Sequence, residues 1–150
     1  AGHLRSLAAD GAVLAITASR RTPSGLRAAL AGLAPEGAPH FLWNGTGENP
    51  YLAMLARADA IVATADSTNM VGEAAATGTP IFLFEPSGGH PKIRSFLDGL
   101  GRYGAVRPLT GRLEAFRYKP LDATPMIAEV VERAYLRHHA ALGPHPTCDP

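Results

Sequence analysis

Cysteine, net charge and long apolar runs are what this sequence has least of, and each shortage narrows what the protein can be. Cys148 is the only cysteine in 150 residues, so no disulfide framework staples the fold. Charged residues make up 18% of the chain, and 14 Lys+Arg against 13 Asp+Glu leave a formal net charge of +1. Without a strong field of either sign, neither nucleic acid nor an anionic membrane surface is favoured as a partner. No apolar stretch approaches the ~20 residues that a transmembrane helix needs, and no basic segment leading into an apolar one marks a signal peptide. No GxGxxG follows the first apolar run and there is no Walker A sequence, which removes the main support for NAD or ATP binding. Metal-ligand spacing is missing too: the adjacent His138 and His139 sit near a helix C-terminus, where cations are favoured without any metal. The expectation is a soluble domain of a reducing compartment, placed in the cytoplasm. Two Lys among the 14 basic residues leave 12 Arg, and this bias, with abundant Ala, points toward a GC-rich bacterial genome. The chain opens on Ala1 rather than Met, so a longer protein is expected, of which this is one half.

What the sequence does contain is alternation. With 46% hydrophobic residues, the length suits one domain burying roughly two thirds of its unfolded surface. Short apolar runs at 12–18 (AVLAITA), 40–43 (HFLW), 60–65 (AIVATA), 81–84 (IFLF) and 105–109 predict strands. Helical patterns fall between them at 24–33, from Pro50 through Ala58, at 67–77 and at 91–100. Pro50 is expected at the first helical position, and Gly78-Thr79-Pro80 closes the third of these helices. A last helix is predicted over 124–141, with a stripe of Met126, Ile127, Val130, Val131, Ala134 and Leu136. The strands are continuous apolar runs, as suits a parallel sheet covered on both faces. The predicted architecture is one α/β domain, a Rossmann-like parallel sheet with helices on both faces over 1–142. Residues 143–150, with three Pro in eight, are expected as a disordered tail.

Ligands of open parallel sheets bind beyond the carboxyl ends of the strands, and four polar or Gly-rich loops fall there. They are Ser19-Arg20-Arg21 with Thr22-Pro23-Ser24-Gly25, Asn44-Gly45-Thr46-Gly47-Glu48-Asn49, Asp66-Ser67-Thr68-Asn69, and Glu85-Pro86-Ser87-Gly88-Gly89-His90. The third stands at a helix start, where free N–H groups and the dipole favour an anion. Ser67 or Asp66 acting as a plain N-cap is the competing reading. Arg20 and Arg21 suit bidentate phosphate contacts or a solvated surface pair. Trp43 ends a strand beside Asn44, where a backbone edge can read a base, or it is simply core. Gly88, Gly89 and His90, ahead of Pro91, form a second helix-entry loop suited to a diphosphate or a sugar, or a plain turn.

Glu73 is the most telling single residue. It lies in MVGEAAAT (70–77), a stretch of apolar and small residues expected to pack on the sheet. A carboxylate buried there needs partners. Ribose hydroxyls are one set of donors and a neighbouring Arg is another. Asn69 lies four residues earlier, on the same helical face.

TASRRTP (17–23), HFLWNGTGENPY (40–51), ADSTNMVGEAAATGTPIF (65–82) and GGHPKIRSF (88–96) together resemble the mitochondrial-fission "elongated mitochondria" family. Its bacterial members look like GT-B glycosyltransferases, and the resemblance spans about residues 10–137. It implies the C-terminal, donor-binding half of a GT-B fold. In that half Glu73 matches the position that holds the ribose, Ser67, Thr68 and Asn69 match the stretch that meets the diphosphate, and Ser19 and Arg20 match the loop bordering it. The resemblance implies a nucleoside diphosphate or nucleotide sugar as ligand, with no metal and no other cofactor. The implied partners are an N-terminal Rossmann-like half, which carries the acceptor site and the catalytic base, and a membrane touched peripherally through a lipid acceptor. Two alternatives stay open: a non-catalytic GT-B-derived adaptor of the mitochondrial fission type, and a nucleotide-sugar epimerase half.

Overall fold

The computed structural model describes residues 1–18, 22–85 and 91–142. Its elements run α1 (Gly2–Ala9), β1 (Ala15–Ile16), α2 (Ser24–Ala31), β2 (Phe41–Leu42), α3 (Tyr51–Arg57), β3 (Ile61–Thr64), α4 (Thr68–Ala75), β4 (Ile81–Phe84), α5 (Pro91–Tyr103), β5 (Val106–Pro108) and α6 (Thr124–Leu142). Every strand pairing is parallel: β1 with β2, β3 with β4, and β4 with β5. Parallel sheets flanked by helices make this a Rossmann-like α/β fold. The described residues form two compact units, 1–120 and 121 onward.

Four features differ from the sequence expectation. α1 was not anticipated, although Leu4, Leu7 and Ala8 recur at helical spacing and Leu7 is buried. The run 12–18 yields only two residues of regular strand, and the strands form two sheets, ordered β1-β2 and β3-β4-β5. Along α6, Met126, Ile127, Val130, Val131 and Leu136 are all more than half exposed, so periodicity identified the helix without identifying a packed face.

The first unit has its deepest packing around β4 and α4. Ile81 and Phe82 of β4 and Val71, Ala74 and Ala75 of α4 are essentially inaccessible. The small residues on α4 let the helix lie close to the sheet, and Gly72 approaches the Phe96 ring of α5. A second cluster joins Ile16, Leu30 and Leu33, with Leu4, Leu14, Leu26 and Leu42 packed around it.

The segment after β5 fastens the C-terminal end of α4. The Phe116 ring meets Phe82 edge-on at 5.7 Å, and Arg107 stacks 4.3 Å over Phe116 while pairing with Glu114 at 2.8 Å. The Tyr118 hydroxyl donates to the Thr79 carbonyl at 2.9 Å, with the Ala74 carbonyl 3.3 Å away. Gly78 makes this closure possible. Its φ is +78°, and a Cβ there meets Pro120 Cγ at 3.0 Å. Gly78→Ala is therefore expected to cost about 1–3 kcal/mol, read as a fall in Tm with the far-UV spectrum unchanged. An unchanged Tm shows that the turn relaxes freely.

Candidate functional site

The turn from β3 into α4 brings Asp66, Ser67, Thr68 and Asn69 to the carboxyl edge of the sheet. Ser67 is the N-cap residue of α4, yet no side chain makes a capping hydrogen bond there. Capping by Ser67 or Asp66, the plain alternative, is thus not what these side chains do. Ser67 N–H is satisfied by the Thr64 carbonyl at 3.1 Å, and Val71 N–H by the Ser67 carbonyl at 3.0 Å. The first-turn amides keep the direction that favours an anion.

Glu73 corrects a firm expectation. It lies on α4 between Gly72 and Ala74, but its side chain is exposed while Val71, Ala74 and Ala75 are buried. The physical reason is the 3.6-residue period: 71, 74 and 75 face the sheet, and 73 is turned away from them. The carboxylate needs no buried partner, and its place on the outer face leaves it accessible. Asn69, one turn earlier, is exposed as well.

Beside this helix lies a cavity of about 190 Å³ lined by Thr17, Ala18, Trp43, Asn49, Tyr51 and Met70. It gathers the carboxyl ends of β1 and β2 and the starts of α3 and α4. Its loop wall is locally fixed. Asn44 Oδ1 accepts from Thr46 N–H at 2.9 Å and from the Thr46 hydroxyl at 2.7 Å, and Trp43 Nε1 donates to the Thr46 carbonyl at 2.9 Å. The Trp43 N–H is thereby used, leaving the ring itself to line the hollow. Asn49 Oδ1 accepts from Tyr51 N–H at 3.1 Å, steadying the start of α3. Pro50 is the N-cap residue there, one position earlier than expected.

Tyr51 is the residue that sequence reading missed. Among the described residues, its hydroxyl is the buried side-chain polar atom that makes no hydrogen bond of regular geometry. Burial, then the nearby Glu73 carboxylate as acceptor and as charge, hold its pKa well above the ordinary phenol value. It is a protonated donor at the cavity wall, next to Glu73. An aromatic at a helix start looks like core in a sequence, and nothing in its spacing signals a buried hydroxyl beside a carboxylate of another helix.

A larger hollow of about 330 Å³, lined by Leu7, Asp10, Ala12, Arg112 and Leu113, lies toward the start of β1. Neither hollow is lined by a predicted site residue; the smaller one is flanked by them in sequence, at Trp43 beside Asn44 and at Met70 beside Asn69. Of those residues, Asn44, Ser67, Thr68 and Asn69 lie in the loops and helix start at the carboxyl edge, and Glu73 lies further along α4, beside Tyr51. Ser19, Arg20, Gly88, Gly89 and His90 lie outside the described residues, as does the tail from 143. No helix among the described residues is long and apolar enough to cross a membrane.

Comparison with known proteins identifies the family. Residues 1–135 match the family profile described as Mitochondrial fission ELM1. The Mitochondrial fission protein ELM1 of Arabidopsis thaliana is 35% identical over 133 residues, covering 87% of this chain and 31% of that protein. An uncharacterized protein of Rickettsia prowazekii (strain Madrid E) is 37% identical over 90 residues, 57% of this chain and 25% of its own length. The chain thus spans a third or less of these relatives. No solved structure matches. A profile matching nine tenths of the residues, together with the Arabidopsis relative, places this chain in the mitochondrial fission ELM1 family.

Proposed function

We propose that this chain is the nucleotide-diphosphosugar-binding half of a GT-B-type, glycosyltransferase-like protein. The observation that carries the reading is the combination, along α4, of an uncapped helix start, an exposed carboxylate about one and a half turns further along, and a ring-sized cavity beside the helix. The N-terminal amides of α4, with Thr68 and Asn69, receive the diphosphate. Glu73 accepts hydrogen bonds from the ribose hydroxyls. The base enters between Trp43, Tyr51 and Met70. A cavity of about 190 Å³ is smaller than the roughly 300–1,000 Å³ of pockets that enclose a whole small ligand. It suits a single ring, with the phosphates and sugar outside it along α4.

Such a site stabilises a diphosphate leaving group with fixed dipoles and positions a donor without supplying a nucleophile. Acceptor and catalytic base fall to the N-terminal half in this reading. The test is a thermal-shift screen of the chain against nucleoside diphosphates and their sugars. A ligand at 100 times its Kd is expected to add about 2.7 kcal/mol of stability. No shift with any nucleotide at millimolar concentration sinks the nucleotide reading and favours a binding-only adaptor. The adaptor is the second reading because the Arabidopsis relative is described as a mitochondrial fission protein.

A further inference from the structure

Strands β1 and β3 each offer one edge that no described strand covers. On β1, the Leu14 and Ile16 carbonyls accept from Phe41 N–H and Trp43 N–H of the β2 side. Backbone groups alternate in direction along a strand, so the N–H groups of Ala15 and Thr17 point away from β2. On β3, Ile61 N–H donates to the Pro80 carbonyl and Ala65 N–H to the Phe84 carbonyl. By the same alternation, the N–H groups of Val62 and Thr64 point away from β4. Strands run parallel within each sheet, and the residues at the carboxyl end of β1, Thr17 and Ala18, line one cavity with Met70 near the start of α4, which follows β3, so the two uncovered edges have the same polarity.

The exposure pattern is at odds with the sequence at these same strands. Val13 is 71% exposed and Val62 36%, and Ala15 and Thr64 are exposed too. Yet they belong to apolar runs of the kind found in the middle of a parallel sheet. The direction of α1 adds an independent observation. Its second residue, His3, lies 6.4 Å from the ring of Phe84, the last residue of β4, and its Nδ1 is 3.2 Å from a Cβ built on Gly111, beyond β5. α1 therefore starts at the carboxyl edge, and Ala12 just after it leads into β1 from the amino edge. That is the course of a crossover helix between parallel strands.

We propose that one apolar strand, from a part of this protein outside these 150 residues, inserts parallel between β1 and β3 and connects into α1. It makes one six-stranded sheet in the order β2-β1-insert-β3-β4-β5. Counted from the insert as first strand, this is the 3-2-1-4-5-6 order of a doubly wound sheet, with the reversal of strand order at the insert. The loop leaving the insert's carboxyl end then lies between Thr17-Ala18 and the start of α4, where ligands of such sheets bind. The occupant is taken to be a segment of the same protein because this chain spans only 31% of the Arabidopsis relative.

Amide hydrogen exchange tests this on two proteins. One is the 150-residue chain. The other is the same chain extended at Ala1 by the stretch preceding the matched region of the Arabidopsis relative. The expected result is slowing of the Ala15, Thr17, Val62 and Thr64 amides by about tenfold or more on extension. Ile61 and Ala63, already turned toward β4, change less. The same amides are read in the full-length Arabidopsis relative, so that a poor fit of the grafted strand does not decide the matter. Fast exchange there as well overturns the proposal. Protection already present in the 150-residue chain also overturns it, because β1 then pairs with β3 or with a second copy.

Discussion

Phe82→Ala is expected to lower the stability of the first unit by about 3–5 kcal/mol, the usual cost of emptying a buried phenylalanine site. Phe82 is only 2% exposed. It sits on the central strand of the β3-β4-β5 sheet, in register with Val62 and Arg107. The Phe116 ring covers it at 5.7 Å, so the substitution removes both the buried area and the surface against which residues 109–120 are held. Tyr118, two residues on, is fixed independently by its bond to the Thr79 carbonyl, so the segment cannot collapse freely into the hole. Thermal unfolding followed by circular dichroism should show Tm falling by roughly 10 °C or more. Phe116→Ala should fall less, because Phe116 is only partly buried. A Phe82→Ala protein as stable as the parent shows that the segment after β5 repacks and that Phe82 does not anchor the core.

Glu73→Ala is expected to weaken nucleotide binding about ten- to a hundredfold and leave the fold intact. The first half of this rests on charge. Losing charge-assisted hydrogen bonds to ribose costs about 1.5–3 kcal/mol, and each 1.4 kcal/mol is a factor of ten in Kd. The second half rests on position. The Glu73 side chain is exposed on α4, and surface substitutions of this kind usually stay within about 0.5 kcal/mol. Affinity by isothermal calorimetry and Tm, measured on the same variant, separate the two effects. A variant that binds nucleotide as tightly as the parent removes Glu73 from the site. One that melts early instead makes Glu73 a structural residue, held through Tyr51.

The strand and helix alternation was legible because apolar runs of four to seven residues between helical patterns admit few other folds. IFLF at 81–84 became β4 with the same bounds, and the run at 60–65 became β3 to within a residue at each end. TASRRTP, HFLWNGTGENPY, ADSTNMVGEAAATGTPIF and GGHPKIRSF together also carried the family, since a combination of loop segments reflects a family more directly than any core pattern does. The position of Glu73 on the helix that starts the candidate site was likewise readable from spacing alone.

Which way that carboxylate points was not readable, because small residues on both sides of Glu73 leave the buried face of α4 undefined until the helix is docked on β4. The Tyr51 hydroxyl beside Glu73 and the cavity beside Met70 belong to the same class. They arise where β1, β2, α3 and α4 meet, and no local pattern encodes a meeting of segments up to 53 positions apart (Thr17 to Met70). The uncovered edges of β1 and β3 go furthest in this direction. Composition and periodicity determined that the strands are parallel-sheet strands; only the tertiary arrangement decided which strand lies beside which, because hydrogen bonds between parallel strands connect residues distant in sequence and leave no mark on either strand alone.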